Sequence, residues 1–376
     1  MARKPRTHST PEQAPVAETL PFDTQKFENV QQIGGIQVAD LHSPFGSGLI
    51  TRVAMVNTGA GLRFTVALDR GGDIVECFHQ HRSLAYLSPN GHTPPSPARH
   101  VGAEWLRGWP GGFLTSCGPV YFGPPRQEDG QTVSLHGHHS NTPAAVEMVL
   151  NPDPHRGRRE MLLSMVIRDT RMFGPNIEVR RQVQCVLGVN DILLHDTVIN
   201  RGNQRSAHNW LYHVNLGYPL LDRGARFVYR GRGAVLGAAA ASAAQLRKLK
   251  TASDPLDEHR GSGERVLMID PTPDDGGFCH VGLVNPALNL AVELAYEHAA
   301  MPRLANWQHY GPGGSYVTGI EPFCGSLLGK PSDPHPLAAQ WLEPGESRSY
   351  RSTIRVHSDR AAVAAFLSHD GELSPA

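Results

Sequence analysis

Residues 177–187 read IEVRRQVQCVL, and after the short GVND segment residues 192–199 read ILLHDTVI. In the first run Ile177, Val179 and Val183 are split by the polar residues Glu178, Arg180 and Arg181. Apolar residues that recur at every second position mark a strand with one face buried and one face wet. Working outward, the same kind of short apolar run appears at Leu49–Val56, Leu62–Leu68 and Glu160–Ile167 on one side. It reappears at Val266–Ile269, Leu288–Ala295 and Tyr350–Val356 on the other. Gly, Pro, Asp and Asn separate the runs, and the chain holds 39 Gly and 30 Pro, which favours many turns over long helices. The pattern predicts an all-β protein, a large antiparallel β-sandwich or a related closed architecture.

Two stretches break the strand pattern. Ala234–Lys250 (AVLGAAAASAAQLRKLK) is Ala-rich and ends in basic residues, which suits a helix or a projecting insertion. Ala361–Leu367 suits a short terminal helix. Residues 1–24 are polar and carry little apolar content, so they are expected to form a flexible tail. The remainder, residues 25–376, shows no internal repeat and reads as one domain with an insertion around 234–262.

Composition narrows the function. Lys+Arg and Asp+Glu both number 35 in the 376-residue chain, so no net field favours a polyanion, and no basic stripe with interleaved aromatics suggests nucleic acid. No run of about 18 apolar residues predicts a membrane span. The N-terminal MARKPRTHSTPEQAPVAE has no apolar core of a secretory signal. Cys77, Cys117, Cys185, Cys279 and Cys324 are odd in number and widely spaced, with no CxxC pair. Reduced thiols and a cytoplasmic location are the expectation. A fold of this size buries roughly three quarters of the surface of its unfolded chain, enough to carry a broad polar cleft. The partner expected is a small carbohydrate, without nucleic acid or membrane, and with homo-oligomerisation left open.

Four segments carry chemistry. LHGHHSNTPAA (135–145) places His136 and His138 two apart, which on a strand puts both on one face and His139 on the other. NWLYHVNLGYPLLD (209–222) likewise places His213 and Asn215 on one face. NWQHYGPGGSYVTGIEPFCG (306–325) brings Trp307 as a binding candidate and Glu321 after an apolar strand. Pro322 should end pairing there, and a carboxylate beside an apolar run has its pKa raised, as a general base needs. Without other information, an exposed edge glutamate is the simpler reading of Glu321. LRFTVALDRGGDI (62–74) offers Arg63, Asp69, Arg70 and Asp73 for hydroxyl binding, with Trp105 and Trp109 of the later AEWLRGWPGG for stacking on a sugar ring. GRGAVLGAAA (231–240) follows no βαβ unit, so a dinucleotide site is not expected.

Taken in order, these segments resemble the aldose 1-epimerase (galactose mutarotase)-like superfamily, closest to its bacterial branch with an LHG…SN.PA segment. The likeness rests on an early Arg (Arg63 or Arg70), His136 in LHG, His213 in HVNLG and Glu321 in GIEP, and runs from about residue 45 to 357. It implies a galactose mutarotase-like supersandwich and anomer interconversion of a free aldose without a cofactor. It also implies Glu321 as general base on the anomeric hydroxyl, His213 as general acid at the ring oxygen, and His136 near that oxygen. His138, Asn215, Trp307 and an arginine would bind substrate. Two other readings stay open. One is a metal-dependent sugar isomerase or lyase with His136, His138, His213 and Glu321 as ligands of a divalent ion. The other is a non-catalytic sugar-binding protein.

Overall fold

In the computed structural model the described residues are 22–42, 50–96, 98, 101–128, 131–238, 241–327, 335–337 and 339–376. Their strands build two large sheets. The first has 12 strands, one of which, Arg82–Ser83, lies off the main path and pairs only with Asp73–His79. From one edge it runs Gly35–His42, Ile50–Asn57, Leu62–Ala67, Asp73–His79, Leu114–Cys117, Trp210–Gly217, Tyr316–Cys324, Arg303–Tyr310, Arg265–Pro271, Gly231–Val235 and Leu373–Pro375. The second has 8 strands, in the order Ala144–Leu150, Glu160–Thr170, Asn176–Val186, Asp191–Asn200, Ser347–His357, Leu290–Glu297, Phe278–Asn285 and Arg226–Val228. Pairing is antiparallel apart from Gly231–Val235 with Leu373–Pro375. One apolar core joins the sheets. Val66, Ile74, Leu114, Val214 and Ile320 come from the first, and Met165, Val179, Leu194, Leu294 and Ile354 from the second. Each strand gives alternate residues to this core, so the expected antiparallel sandwich is what forms.

Each of the eight apolar runs named above holds a strand, the first of them Ile50–Asn57, with Leu49 outside the described residues. The run at 177–187 is Asn176–Val186, paired over its whole length with Glu160–Thr170. One residue in it departs from the expectation. Arg181, polar in the alternating pattern, lies on the inner face in phase with Val179 and Val183, fully buried. Its Nε and Nη2 donate to Asp196 Oδ1 and Oδ2 at 2.9 and 2.7 Å. Nη1 donates to the carbonyls of Gly71 and Gly72 at 3.1 Å each and to Asp73 Oδ1 at 3.2 Å, and Nη2 also reaches Ser116 Oγ at 2.6 Å. Asp196 accepts the Tyr212 hydroxyl at 2.7 Å, and Asp73 accepts the Ser116 amide at 2.9 Å. A buried guanidinium is tolerable only when its donors are met and its charge is balanced, and this one meets both conditions. The network fastens the second sheet to the strands of Asp73, Ser116 and Tyr212 in the first.

Residues 1–21 of the expected tail lie outside the described residues; Thr24–Lys26 forms a single turn capped by the Asp23 carboxylate. Within the stretch expected as an insertion, residues 239 and 240 also lie outside them. Around them, Gly231–Val235 is a strand of the first sheet and Ala243–Leu249 a helix, opened by a capping box between Ser242 and Gln245. The helix buries Leu246, and the next residue, Lys250, donates to the carbonyls of Tyr229 and Gly371 and pairs with Asp370. Arg360–Leu367 forms the terminal helix, capped by Asp359. Among the described residues no helix is long and apolar enough to cross a membrane. The five cysteines are buried and unbridged.

Candidate active site

The strand Trp210–Gly217 lies in the middle of the first sheet, between Leu114–Cys117 and Tyr316–Cys324. Tyr212, Val214 and Leu216 enter the core, so His213 and Asn215 project from the opposite face. On the neighbouring strand Ile320 enters the core, and Gly319 and Glu321 project with His213. Register sets Asn215 opposite Gly319, Gly319 opposite Trp307, and Glu321 opposite Ala305. His213 Nε2 stands 3.2 Å from Glu321 Oε1. Both residues are nearly sealed from water, at 6% and 3% exposure.

Pro322 does not end the strand. Pairing to the His213 strand runs Val214↔Ile320 and resumes at Leu211↔Phe323, while on the other side Ala305↔Glu321 and Leu304↔Pro322 remain in register. The missing proline N–H interrupts one ladder locally and leaves the other intact. Glu321 is thus a buried residue of a central strand, not an edge glutamate. Burial, with the charge of Glu264 added, pushes its carboxyl up to about 8. Burial pulls His213 well below the ordinary imidazole range, with His136 adding to the effect. Burial alone brings His136 down to about 4. At neutral pH the site therefore holds two neutral imidazoles and a carboxyl group that is mostly protonated.

His136 reaches the pair from a loop, its ring 5.7 Å from that of His213 and nearly perpendicular to it. The expectation that His136 and His138 share a strand face is not met. His136 has φ +56° and Gly137 φ +77°, so the chain turns through left-handed conformations instead of extending. His138 faces Asp169, with Nδ1 3.5 Å from Oδ1, and His139 is buried with Nε2 at 3.1 Å from the Gly71 carbonyl. The alternative metal set left open by the sequence, His136, His138, His213 and Glu321, is therefore not gathered at one point. Among the described residues no three His, Cys, Asp or Glu side chains converge in a geometry that would hold an ion.

Three indoles surround the histidines. Trp105 is buried and stacks on Trp109 at 5.6 Å, with its edge toward His136 at 5.2 Å. It is a support for the site, where the sequence suggested a stacking surface. Trp109 and Trp307 are half-buried, and their rings lie 6.1 and 5.5 Å from His213. All three indole N–H groups are engaged: Trp105 with Ser140 Oγ at 3.0 Å, Trp109 with Thr115 Oγ1 at 3.0 Å, and Trp307 with Glu264 Oε2 at 2.7 Å. Inside this aromatic enclosure the buried His213 Nδ1, His136 Nδ1 and Asn215 Oδ1 make no hydrogen bond, and Glu321 Oε1 has only the 3.2 Å approach of His213 Nε2. Buried polar atoms are nearly always satisfied, so such a group in one place is a site built for something else to complete.

The fourth segment divides. Arg63 sits three strands away from His213 and donates to the Gln80 carbonyl at 3.2 Å. With Glu76 and Phe78 it lines a separate groove of about 360 Å³. Arg70 is buried in the turn before Asp73, and its charge is felt by Asp73. Asp69 and Asp73 are structural: Asp69 accepts from the Arg52 amide and guanidinium at 2.7 and 2.8 Å, and Asp73 belongs to the Arg181 network. Sequence reasoning missed Glu264, for which nothing local gives a signal, and Gly319. The second was legible, since a glycine two before Glu321 shares its strand face.

Gly319 leaves the room in which the pair meets. A Cβ there would lie 2.3 Å from Glu321 Oε1 and 2.8 Å from His213 Cε1. The first neighbour is the end of a flexible side chain, so Gly319→Ala is expected to fold and to displace the carboxylate. Its unfolding midpoint in urea should fall by less than that of a core truncation, while whatever activity depends on the pair drops by at least ~10-fold. An unaltered rate would show that the carboxylate position is immaterial.

A family model described as a domain of unknown function, DUF4432, matches residues 48–356. The chain belongs to this family. No curated protein matches the sequence. Among solved structures, this DUF4432 protein resembles one from Klebsiella pneumoniae described as a "putative aldose 1-epimerase", with a TM-score of 0.79 and 22% identity over 93% of each chain. A galactose mutarotase-like protein from Clostridium acetobutylicum gives a TM-score of 0.56 at 11% identity, over 86% of this chain and 99% of that one. A galactose mutarotase related enzyme from Lactobacillus acidophilus gives 0.54 at 13%, over 90% and 100%. The DUF4432 chain thus has the galactose mutarotase-like fold, as its motif order implied.

Proposed function

We propose that this DUF4432 protein is a carbohydrate isomerase that interconverts the anomers of a free aldose by acid–base ring opening. The observation that carries the reading is the set of unsatisfied polar atoms on Glu321, His213, His136 and Asn215, enclosed by indole rings. Indole faces suit the apolar C–H faces of a pyranose, and the unsatisfied atoms suit its hydroxyls and ring oxygen. Anomer exchange needs one proton taken from the anomeric hydroxyl and one given to the ring oxygen, followed by the reverse after the carbonyl group rotates. Two adjacent groups suffice, one accepting and one donating, and ring opening leaves each in the state that closing requires. Glu321 is assigned to the anomeric hydroxyl and His213 to the ring oxygen, with His136 beside that oxygen; the one proton of the pair rests on Glu321 and passes to His213 Nε2, 3.2 Å away, before opening begins. Positioned acid–base groups of this kind each contribute roughly 10²–10⁴-fold.

The test is anomer exchange followed by NMR across common aldoses. Ring opening needs one proton on the pair, and above about 8 that proton is lost from Glu321, so kcat/KM should fall as pH rises through about 8. That limb should vanish in Glu321→Gln. A wild-type rate that rises through the same range would show that the proton of Glu321 is not needed and would overturn the shared-proton pair. Exchange no faster than in buffer for every aldose tried, with sugar-dependent thermal stabilisation, would instead indicate a binding protein.

A further inference from the structure

Trp307 owes its orientation to a segment far from it in sequence. Leu256 N–H donates to the Tyr310 carbonyl at 2.8 Å, and His259 Nδ1 accepts the Tyr310 amide at 2.9 Å. The His259 ring stacks on His309 at 6.0 Å and on Tyr310 at 5.8 Å. His309 in turn donates from Nδ1 to the Gly263 carbonyl at 2.6 Å, and its ring lies nearly parallel to Trp307, 7° apart at 5.9 Å. Residues 256–263 are therefore clamped along the Arg303–Tyr310 strand, and the next side chain, Glu264, accepts the Trp307 indole N–H at 2.7 Å. Arg265 then begins the strand that pairs Val266 with Trp307. The exposed Glu264 carboxylate is thus held at the mouth of the aromatic enclosure by the elements on both sides of it.

We infer that Glu264 is a positioning residue of this site: its carboxylate locks the Trp307 indole against His213 and sets a negative charge beside Glu321. This rests on the anomer-exchange reading for its kinetic consequence, though not for its physical one. A half-buried indole without its N–H partner can turn about the Cβ–Cγ bond and lose its place next to His213. The charge acts separately. The titratable groups that face Glu321 are His213 across the ladder, His136 beyond it, Cys117 from the next strand and Glu264. The two imidazoles and the thiol are buried and neutral, so Glu264 is the charged member of this set, and it opposes ionisation of Glu321.

Two variants separate the two effects. Glu264→Gln keeps an oxygen acceptor for the indole and removes the charge. It should leave KM within about twofold of wild type and move the pH limb of kcat/KM to lower pH. Glu264→Ala should make the same move and also raise KM by about tenfold, since a charge-assisted hydrogen bond is lost. Trp307→Phe, which lacks the N–H, should raise KM without moving the limb. Two measurements on the full chain need no turnover: the titration of the Glu321 carboxyl by ¹³C NMR, and tryptophan fluorescence anisotropy. If the Glu321 titration is unmoved in Glu264→Gln and the anisotropy is unmoved in Glu264→Ala, the inference is overturned. If both move while no aldose is turned over, the role of Glu264 stands and the enzymatic reading fails.

Discussion

Glu321→Gln is expected to lower anomer exchange by roughly 10²–10⁴-fold and, at the same time, to make the protein more stable. Both effects have one cause. The carboxyl titrates at about 8 in the folded chain against an ordinary value of 4.5, because burial penalises its charged form. An acid whose pKa is raised by folding imposes no cost below its unfolded value. The cost grows as pH rises from about 4.5 to 8 and is constant above that. Glutamine has the same shape and never ionises, so it escapes the cost. The unfolding temperature of Glu321→Gln should exceed that of the wild type most at pH 9, and the gap should close toward pH 5. A gap independent of pH would show that Glu321 is not held in a charge-rejecting environment, and a fully active variant would remove it from the chemistry. Catalytic groups in sites that disfavour them commonly trade stability for function.

The largest expected loss of stability lies inside the sandwich. Asp196→Ala should cost about 3–5 kcal/mol, a large share of the roughly 5–15 kcal/mol that holds an ordinary domain together. Arg181 and Asp196 have side chains with 0% exposure. Removing the carboxylate strips the guanidinium of its two-point partner and leaves the Tyr212 hydroxyl without its acceptor. The charge stays buried, because water cannot reach it. Urea unfolding would measure the effect, and a change under 1 kcal/mol would mean that Asp73 and the two glycine carbonyls satisfy Arg181 alone. The double variant Arg181→Met/Asp196→Leu is expected to recover much of the loss, since a packed apolar pair has no charge to strand. Tyr212 neighbours His213 in sequence, so in Asp196→Ala a weakened site should accompany the weakened fold.

The sandwich was legible because strand periodicity is a local property, as in residues 177–187. The exceptions are places where a distant partner overrules the local pattern. Arg181 looked like an outward residue, and only Asp196, Asp73 and the Gly71–Gly72 carbonyls make its inward position tolerable. The pairing of His213 with Glu321 was legible in the order of the motifs, because each lies on a strand with a readable face. The pairing of His136 with His138 was misread because two consecutive left-handed residues abolish the alternation on which it depended. Pro322 carries the local signal of a strand end, yet its missing N–H silences only one of two ladders. Glu264 was invisible for a different reason. It meets Trp307 across 43 positions of chain, and nothing in its own surroundings marks it.

The strands of His213, Glu321 and Trp307 divide their residues between two uses. Positions 213, 215, 319, 321 and 307 face the indole enclosure, and positions 212, 214, 216, 320 and 304 face the core. Substitutions on the first set can retune what the site accepts while the interior is left alone. Insertion or deletion of one residue in any of these strands has no such freedom, since it would exchange the two sets and turn Val214 or Ile320 toward the ligand and a histidine or glutamate toward the core. Relatives that share this fold should therefore diverge in specificity by replacing residues in these strands and by changing length only in the loops between them.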